Sequence, residues 1–377
     1  MMTVAAAPHR LAFLDALRGI AACYVILFHL FFVGHAPAPG WLGSTILVGG
    51  SGVTLFFLIS AFSLCLTGDT ADRSWRDSTR FWLRRYFRIA PLYYIALLYT
   101  VVTTWHPFVR PSAGAIVANV LLVFGMIPGL HGSLIMGGWS IGVEMLFYAV
   151  FPLLLWRARR PFALPMLCLG AILFAYWSWA VFDRLELPEP VHGDFYRLSI
   201  ISKLQGFMLG MAAYRSYLRA IHGRALPPDL GRTMVLGALV LFYAWISGKL
   251  DFLFVAPGGS GTPVVPYSGN SDMIWQSLIG MLLILGLAIH PSRIFVNPVT
   301  LFFGRISYSL YLLHPPLLTL LQPVFATITA WHLPPVIGLT LSLGVAFLML
   351  SPLAWLSFTL IERPGMRLGA RVITRLA

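Results

Sequence analysis

Three ionisable residues share one face of the first apolar segment of the sequence. Asp15, Arg18 and His29 lie in a stretch that otherwise consists mainly of apolar and small residues. At 3.6 residues per helical turn, the interval from Arg18 to His29 leaves the two side chains about 20° apart, and Asp15 lies within about 40° of the same line. The helical rise separates Arg18 from His29 by roughly 16 Å along the axis. We therefore predict a polar stripe along an otherwise apolar helix, with an imidazole near one end.

An imidazole in this position could carry out group-transfer chemistry. A histidine changes charge near neutral pH, so His29 could act as a general base toward a hydroxyl or could accept an acyl group as a nucleophile. In a purely structural alternative, Arg18 extends to the membrane interface, Asp15 neutralises it and His29 hydrogen-bonds a neighbouring helix. Each such group costs on the order of a few kcal/mol at the centre of a bilayer unless it faces a polar interior. Three of them on one face therefore favour a function.

A carboxylate could reach the same depth as His29. Glu144 lies about five residues from the outer end of the fourth apolar segment, and His29 about four residues from the outer end of the first. Their depths would then agree within one turn, or about 5 Å. We expect that Glu144 could orient the ring of His29. The alternative is that an arginine neutralises Glu144, or that burial keeps it protonated.

A second histidine follows two hydroxyl groups in the ninth apolar segment. Ser307, Tyr311 and His314 recur at i, i+4 and i+7, which places them on one helix face, and Pro315 and Pro316 should then kink the helix. This face could take part in catalysis, or it could be a hydrogen-bonded seam that holds the helices together. We rank it below His29.

Arginines cluster between the second and third apolar segments. Because guanidinium groups bind phosphates through paired donors, this basic face would suit an anionic, phosphate-bearing donor on the cytoplasmic side. A cluster that only fixes the membrane orientation is the alternative. The cluster consists of Arg73, Arg76, Arg80, Arg84, Arg85 and Arg88.

The elements that position these residues must cross a membrane. Only 10% of the 377 residues are charged while 58% are hydrophobic, and a soluble domain of this length would expose large apolar patches with such a composition. Apolar stretches of about 20 residues are long enough to cross a bilayer as helices. The predicted spans are residues 11–33, 45–67, 87–104, 139–156, 162–182, 199–217, 233–248, 273–289, 301–321 and 335–361.

The distribution of lysines and arginines predicts the membrane topology of the chain. With ten spans and both termini in the cytoplasm, most of the 26 lysines and arginines lie on the cytoplasmic side. A short additional apolar segment, residues 113–128, would move Arg157, Arg159 and Arg160 to the outside if it crossed, so we predict that it is re-entrant or interfacial. We thus expect an all-α, polytopic membrane domain over residues 1–377, without a separate soluble domain. Asp15, Arg18 and His29 argue against a cleaved signal peptide.

Several other functions lack their sequence signals. Cys23, Cys65 and Cys168 have no spacing for a zinc site or a disulfide framework, so we expect neither a metal nor a tightly bound cofactor. The sequence contains no G-x-S-x-G elbow, P-loop or HExxH motif. The excess of basic residues is explained by membrane topology rather than by nucleic acid.

Six motifs occur in order along the chain and together resemble the acyltransferase-3 family. The pair Arg18 and His29 is similar to the R-x10-H signature of that family, although Ala16 and Ala61 stand where it often has glycine. The third-helix arginines are Arg84, Arg85 and Arg88, whereas the family can have R-x-R, so the choice of donor-binding arginine stays open. The motifs occupy residues 14–22, 52–60, 84–91, 139–148, 307–314 and 362–364.

The resemblance implies an enzyme of the bacterial cytoplasmic (inner) membrane, surrounded by lipids. Its co-substrate would be a cytoplasmic acyl-CoA, most often acetyl-CoA, and its acceptor a hydroxyl on a saccharide or another molecule at the outer face. A separate extracytoplasmic acyltransferase could be a partner. In this scheme the residues divide into a catalytic group, a donor-binding group and a group that lines the site. The catalytic group consists of His29, Glu144, Asp15 and Arg18. The donor-binding group consists of Arg84, Arg85 and Arg88, and the group that lines the site consists of Ser307, Tyr311, His314 and Trp139.

A transporter is the competing hypothesis. Ten helices with buried acidic and basic residues would also suit a proton-coupled permease for a glycan or an organic acid. Inverted repeats would favour that function, and the sequence shows none. We therefore prefer the enzyme.

Overall fold

The described part of the chain is helical. The computed structural model describes residues 11–68, 75–104, 111–158, 160, 162–184, 195, 197–222, 226–250 and 270–375. Over these ranges the regular elements are helices, without a strand, which confirms the predicted all-α class. Arg73 of the predicted arginine cluster and Arg159 lie outside the described residues.

The α-helices are numbered here in chain order. The longer ones are α1 Ala12–Phe32, α2 Gly43–Leu47, α3 Ser51–Gly68, α4 Trp75–Thr104, α5 Ala113–Val120, α6 Trp139–Ala158, α7 Ala163–Arg184 and α8 Ile200–His222. They continue as α9 Pro228–Ile246, α10 Asn270–Ile289, α11 Pro298–Arg305, α12 Ser307–Leu320, α13 Gln322–Ala330, α14 Pro335–Ser357 and α15 Arg363–Arg375. A π-helical segment, Phe358–Glu362, joins the last two.

Seven of these helical segments are long and apolar enough to cross a membrane, which makes this a multi-pass membrane protein. The pair α12 and α13, bent by 59°, would be an eighth. The predicted spans 162–182 and 199–217 form helices α7 and α8; α8 does not meet the same test of length and hydropathy, and in α7 the test covers only the shorter apolar stretch Ala163–Ser178. In α8 the reason is visible, because Lys203, Arg215 and Arg219 lower its hydropathy. The total of ten spans and the location of the termini stay predictions.

The short segment 113–128 is too short to cross a membrane as the structure folds it. Its helix, Ala113–Val120, has eight residues and is therefore roughly 12 Å long, well below the thickness of a bilayer core. The buried side chain of Asn119 accepts hydrogen bonds from Tyr93 Oη at 2.9 Å, from Ser133 Oγ at 2.7 Å and from the Leu134 amide at 3.1 Å. These contacts tie the segment to α4 and to the loop before α6.

The predicted ninth span is interrupted at two points. Asn297 begins α11 with a capping box, in which its side chain accepts from the Thr300 amide and Thr300 Oγ1 accepts from the Asn297 amide, both at 3.1 Å. Ile306 separates α11 from α12, which then continues through Pro315 and Pro316 to Leu320. The bend falls beyond the proline pair, because the prolines lie inside α12.

Two glycines bring α1 and α11 into close contact. A β-carbon added to Gly304 would overlap the main-chain carbonyl of Asp15, and one added to Gly19 would overlap that of Thr300. The backbones can therefore approach each other only because both positions lack a side chain. This contact fixes the first turns of α1, which carry Asp15 and Arg18, against α11.

The C-terminal helix α15 packs on α4 in a similar way. Its buried Gly365 and Gly369 face Pro91 and Phe87 of α4, while its arginines are exposed. Just before it, the buried Glu362 accepts a hydrogen bond from Ser309 of α12. Helices α4, α12 and α15 are thereby held around one end of the bundle.

Candidate functional site

The first of two neighbouring cavities is lined by arginines, and we call it the arginine cavity. It lies between α1, α3, α4, α6 and α12, and its empty volume is about 700 Å³ when the part open to solvent is included. Its polar lining consists of Arg18, Ser60, Arg85, Arg88, Ser140, Glu144, Tyr148, Ser307, Tyr308 and Tyr311. Three guanidinium groups around one space form a site for an anion.

Arg18 is held in this cavity by two partners. Its Nη1 donates to Asp15 Oδ1 at 2.9 Å, and its Nη2 donates to Ser63 Oγ of α3 at 2.7 Å. Both members of the ion pair are largely shielded, with side-chain exposures of 17% and 8%. The neighbouring carboxylate offsets part of the cost of burying the guanidinium, as the sequence pattern predicted. The pair leaves Arg18 with a fixed orientation.

Glu144 is the centre of a small hydrogen-bonded network in the same cavity. Its carboxylate accepts from Ser60 Oγ at 2.5 Å and from Tyr148 Oη, and the two hydroxyls lie 3.0 Å apart. The guanidinium of Arg85 lies over the Tyr148 ring, 5.6 Å from its centroid, and interacts electrostatically with Glu144. Arg88 likewise interacts with the carboxylate of Glu362. The carboxylates of Glu144 and Glu362 thus attract the guanidinium groups of Arg85 and Arg88.

The second cavity contains His29, and we call it the histidine cavity. It is lined by residues of α1, α3, α8 and α10 and of the loop before α6, with His29, Thr54, Trp139, Arg197, Lys203, Gln276 and Tyr311 among them. Its walls are otherwise mostly apolar, as in pockets for organic ligands. Thr54 donates to Gln276 at 2.5 Å across this space, so α3 and α10 are linked there.

His29 is paired with a second histidine. Its Nδ1 lies 2.9 Å from the Val25 carbonyl and 3.2 Å from Nε2 of the fully buried His314, whose own Nδ1 lies 3.3 Å from the Leu310 carbonyl. All three contacts can be hydrogen bonds when both rings carry their proton on Nδ1. The Nδ1–H of His29 is then shared between the Val25 carbonyl and Nε2 of His314, and the Nδ1–H of His314 donates to the Leu310 carbonyl. In that arrangement Nε2 of His29 keeps a lone pair and can act as a base.

Tyr311 stands between the two cavities and lines both of them. Its hydroxyl donates to the Gly137 carbonyl at 3.0 Å and lies 2.8 Å from Ser140 Oγ. Val53 and Phe57 of α3 also line both spaces. A continuous series of cavity walls therefore leads from the arginines to His29, with Tyr311 in the middle.

The structure brings most of the predicted residues together. Arg18, Arg85, Arg88, Glu144, Ser307 and Tyr311 line the arginine cavity, while His29, Trp139 and Tyr311 line the histidine cavity, and His314 touches His29. Asp15 reaches the arginine cavity through Arg18. Arg84 is exposed and does not line either of these cavities.

One predicted pairing is corrected by the geometry. We expected Glu144 to orient the ring of His29, but the two residues line different cavities. The hydrogen-bond partners of His29 are His314 and the Val25 carbonyl instead. Equal depth in two helices does not bring two side chains together when a third helix, here α12, lies nearer. The residue that orients His29 is therefore His314.

Sequence reasoning missed the role of Lys203. This lysine is 6% exposed and lines the histidine cavity. Its ammonium group lies 2.9 Å from Met273 Sδ and 5.6 Å from the centroid of the Trp139 ring. Its position near the end of an apolar segment was the signal that could have identified it. Ser60 and Tyr148 were missed because hydroxyls in apolar segments are common.

Comparison with known proteins identifies the domain. The family Acyl_transf_3, described as "Acyltransferase domain", matches residues 11–351. The peptidoglycan O-acetyltransferase OatA of Listeria monocytogenes is 25% identical over 380 residues, which cover 93% of this chain and 55% of the relative. The O-acetyltransferase OatA of Staphylococcus aureus is 24% identical over 344 residues, which cover 84% of this chain and 52% of the relative.

The chain therefore spans about half the length of the curated relatives it matches. No solved structure matches it. The family match confirms the resemblance that the six motifs indicated, together with the enzyme class of acyltransferase.

Proposed function

Because the chain belongs to the acyltransferase-3 family, we propose that it is a membrane-embedded O-acyltransferase which moves an acyl group, acetyl by preference, across the bacterial inner membrane. The donor is a cytoplasmic acyl-CoA, and the acceptor is a hydroxyl of a glycan or a similar molecule at the outer face. The choice of acetyl and of a glycan follows from the relatives, one of which is a peptidoglycan O-acetyltransferase.

The observation that carries the proposal is the meeting of two chemically different cavities at Tyr311. The arginine cavity offers Arg18, Arg85 and Arg88 to a phosphate-bearing donor such as coenzyme A. The histidine cavity offers a base to a hydroxyl-bearing acceptor. A flexible donor held by its phosphates in the first cavity would extend its thioester toward the second.

In the proposed reaction, His29 removes the proton from the acceptor hydroxyl. The hydroxyl oxygen then attacks the thioester carbonyl, the carbon–sulfur bond breaks, and the coenzyme A thiolate leaves and takes up a proton. In the alternative route, His29 Nε2 attacks first and carries the acyl group until the hydroxyl displaces it. His314 fixes the tautomer in both routes, and Asp15 with Arg18 supports the donor side.

The proposal includes the threading of the chain. Helices α7 and α8, added to the seven apolar segments and the bent pair, bring the number of spans to ten. With both termini in the cytoplasm, the arginine cavity would face the cytoplasm and the histidine cavity the outside, in agreement with the distribution of basic residues. The acceptor could be the final product, or the acyl group could pass to a separate extracytoplasmic acyltransferase.

Transfer across a sealed membrane tests the function directly. The protein is reconstituted into liposomes, labelled acetyl-CoA is supplied on the side of the arginine cavity, and hydroxyl acceptors are enclosed on the other side. We expect label on the acceptor with wild-type protein and none with a His29→Ala variant of equal thermal stability. Movement of an unmodified glycan or acid without acyl transfer would overturn the proposal in favour of the permease. Label that accumulates on the protein alone would support the covalent route and a partner protein.

A further inference from the structure

The histidine cavity contains a buried cation for which the proposed reaction has no use. Lys203 lies in the first turns of α8, is 6% exposed and lines the same cavity as His29. The chain has two lysines, and the other, Lys249, is exposed at the end of α9. Burial of an ammonium group is costly unless it has a partner of opposite charge, so its position in a cavity requires an explanation.

The contacts of Lys203 are weak for a buried charge. Its Nζ lies 2.9 Å from the thioether sulfur of Met273 and 5.6 Å from the centroid of the Trp139 ring. Arg197, which lines the same cavity, adds repulsion. Among the described residues that line this cavity none is acidic. Because no carboxylate among the described residues is placed to pair with Lys203, we consider a molecule that enters the cavity as its partner.

On these grounds we propose that the acceptor is an acidic sugar whose carboxylate binds Lys203 while its hydroxyl faces His29. This inference rests on the proposed function and names the acceptor class for it. A singly charged carboxylate matches one ammonium group, and the desolvated site makes the interaction stronger than it would be in water. The aromatic ring of Trp139 and the apolar walls can cover the faces of a sugar ring. Lys203 then determines specificity, while the acyl transfer depends on His29.

The test uses two acceptors that carry identical hydroxyl groups and differ only in charge. These are methyl glucuronide and the corresponding glucuronamide. With wild-type protein in liposomes, kcat/KM for acetyl transfer should be on the order of 10- to 100-fold higher for the acid, as expected for a charged hydrogen bond. In Lys203→Met, which replaces the ammonium by an apolar group of similar length, this ratio should fall to about 1. Lys203→Arg should keep a preference for the acid.

Lys249→Met is the matched control, because Lys249 is exposed and outside the cavity. It should retain the wild-type ratio. Thermal unfolding in detergent checks that each variant is folded. A wild-type ratio near 1, or a Lys203→Met variant that still prefers the acid, would overturn the inference.

A binding measurement separates this inference from the proposed function. Calorimetric titration of the purified protein with the acid and the amide should show tighter binding of the acid in wild type and equal binding in Lys203→Met. Selective binding without transfer to any acceptor would support the carboxylate site at Lys203 and refute the proposed acyltransferase activity. Transfer without selectivity in either measurement would retain the transferase and refute the role of Lys203. Absence of both binding and transfer would refute both.

Discussion

The two cavities that meet at Tyr311 differ in the partners of their cationic side chains. In the arginine cavity, Arg18 is paired with Asp15 at 2.9 Å, and Arg85 and Arg88 interact with Glu144 and Glu362. In the histidine cavity, the described contacts of Lys203 are with a thioether and an indole. Arg18 is thus paired with a carboxylate of the protein, whereas no acidic side chain is found among the described residues that line the cavity of Lys203.

This difference indicates what each cavity has to accomplish. The ion pair with Asp15 fixes the position of Arg18 before a ligand arrives, and a ligand with several phosphates can still compete because it brings more charge. An ammonium group without such support is better suited to select one ligand over another, because an uncharged analogue leaves it unpaired. In the proposed function, preorganisation therefore belongs to the cavity that binds the donor and selectivity to the cavity that binds the acceptor.

The largest expected effect falls on the imidazole of the histidine cavity. His29→Ala should lower kcat for acetyl transfer on the order of 10²- to 10⁴-fold, because it removes the base from the reaction. His314→Ala should lower it less, since it frees the ring of His29 without removing it. His332→Asn serves as a control, because His332 is exposed and its backbone φ of 52° is one that asparagine tolerates. Equal rates for His29→Ala and wild type would remove the chemical distinction between the cavities.

Substitutions in the arginine cavity should change the KM for acetyl-CoA rather than kcat. Arg85→Ala or Arg88→Ala should raise the KM for acetyl-CoA on the order of 10- to 100-fold, since each removes a charged hydrogen-bond donor from the donor site. Arg84→Ala should raise it less, because Arg84 is exposed outside the cavity. Initial rates over a range of acetyl-CoA concentrations measure this. If Arg84→Ala has the larger effect, the donor binds on the exposed face of α4 instead.

The close contact of α1 with α11 tests whether the geometry of the arginine cavity depends on packing. Gly304→Ala should destabilise the protein by about 1 to 3 kcal/mol, because the new methyl group meets the carbonyl of Asp15. Gly344→Ala is the control, since a β-carbon there meets nothing within 4 Å. Thermal unfolding in detergent compares the two. A Gly304→Ala variant as stable as Gly344→Ala would contradict the observed contact.

The smallest effect is expected at the wall between the cavities. Tyr311→Phe keeps the ring but loses the hydrogen bonds to Gly137 and Ser140, which should cost about 1 kcal/mol of unfolding free energy. Transfer should change little, because the ring still fills the same space. A loss of transfer as large as that of His29→Ala would instead place the phenol in the reaction itself.

Local patterns predicted much of the fold and part of the site. The hydropathy of α1, α3, α6 and α14 identified these helices, because spanning a bilayer imposes a length and an apolar composition. The Asp15 and Arg18 pair was predictable from its i, i+3 spacing within one helix. The helical face shared by Ser307, Tyr311 and His314 was predictable for the same reason.

Contacts between helices were not predictable in this way. The partner of His29 is His314, at a sequence separation of 285 residues, and no spacing within α1 indicates it. The position of Lys203 in the histidine cavity depends on how α8 packs against α3 and α10. Arg84 and Arg85 are adjacent in sequence, and only the rotation of α4 decides that Arg85 faces inward. Such choices are made by packing across the bundle.

The position of Tyr311 has a consequence for the membrane itself. Its ring lies where the two cavities come nearest, with Val53 and Phe57 of α3 beside it. In the proposed threading the two cavities approach from opposite faces of the membrane, and this layer of side chains lies between them as a barrier to ions and protons. An acyl group that crosses the membrane as proposed would have to pass this layer without opening a path for ions, so the proposed reaction requires the side chains to stay closed around the acyl group at every step.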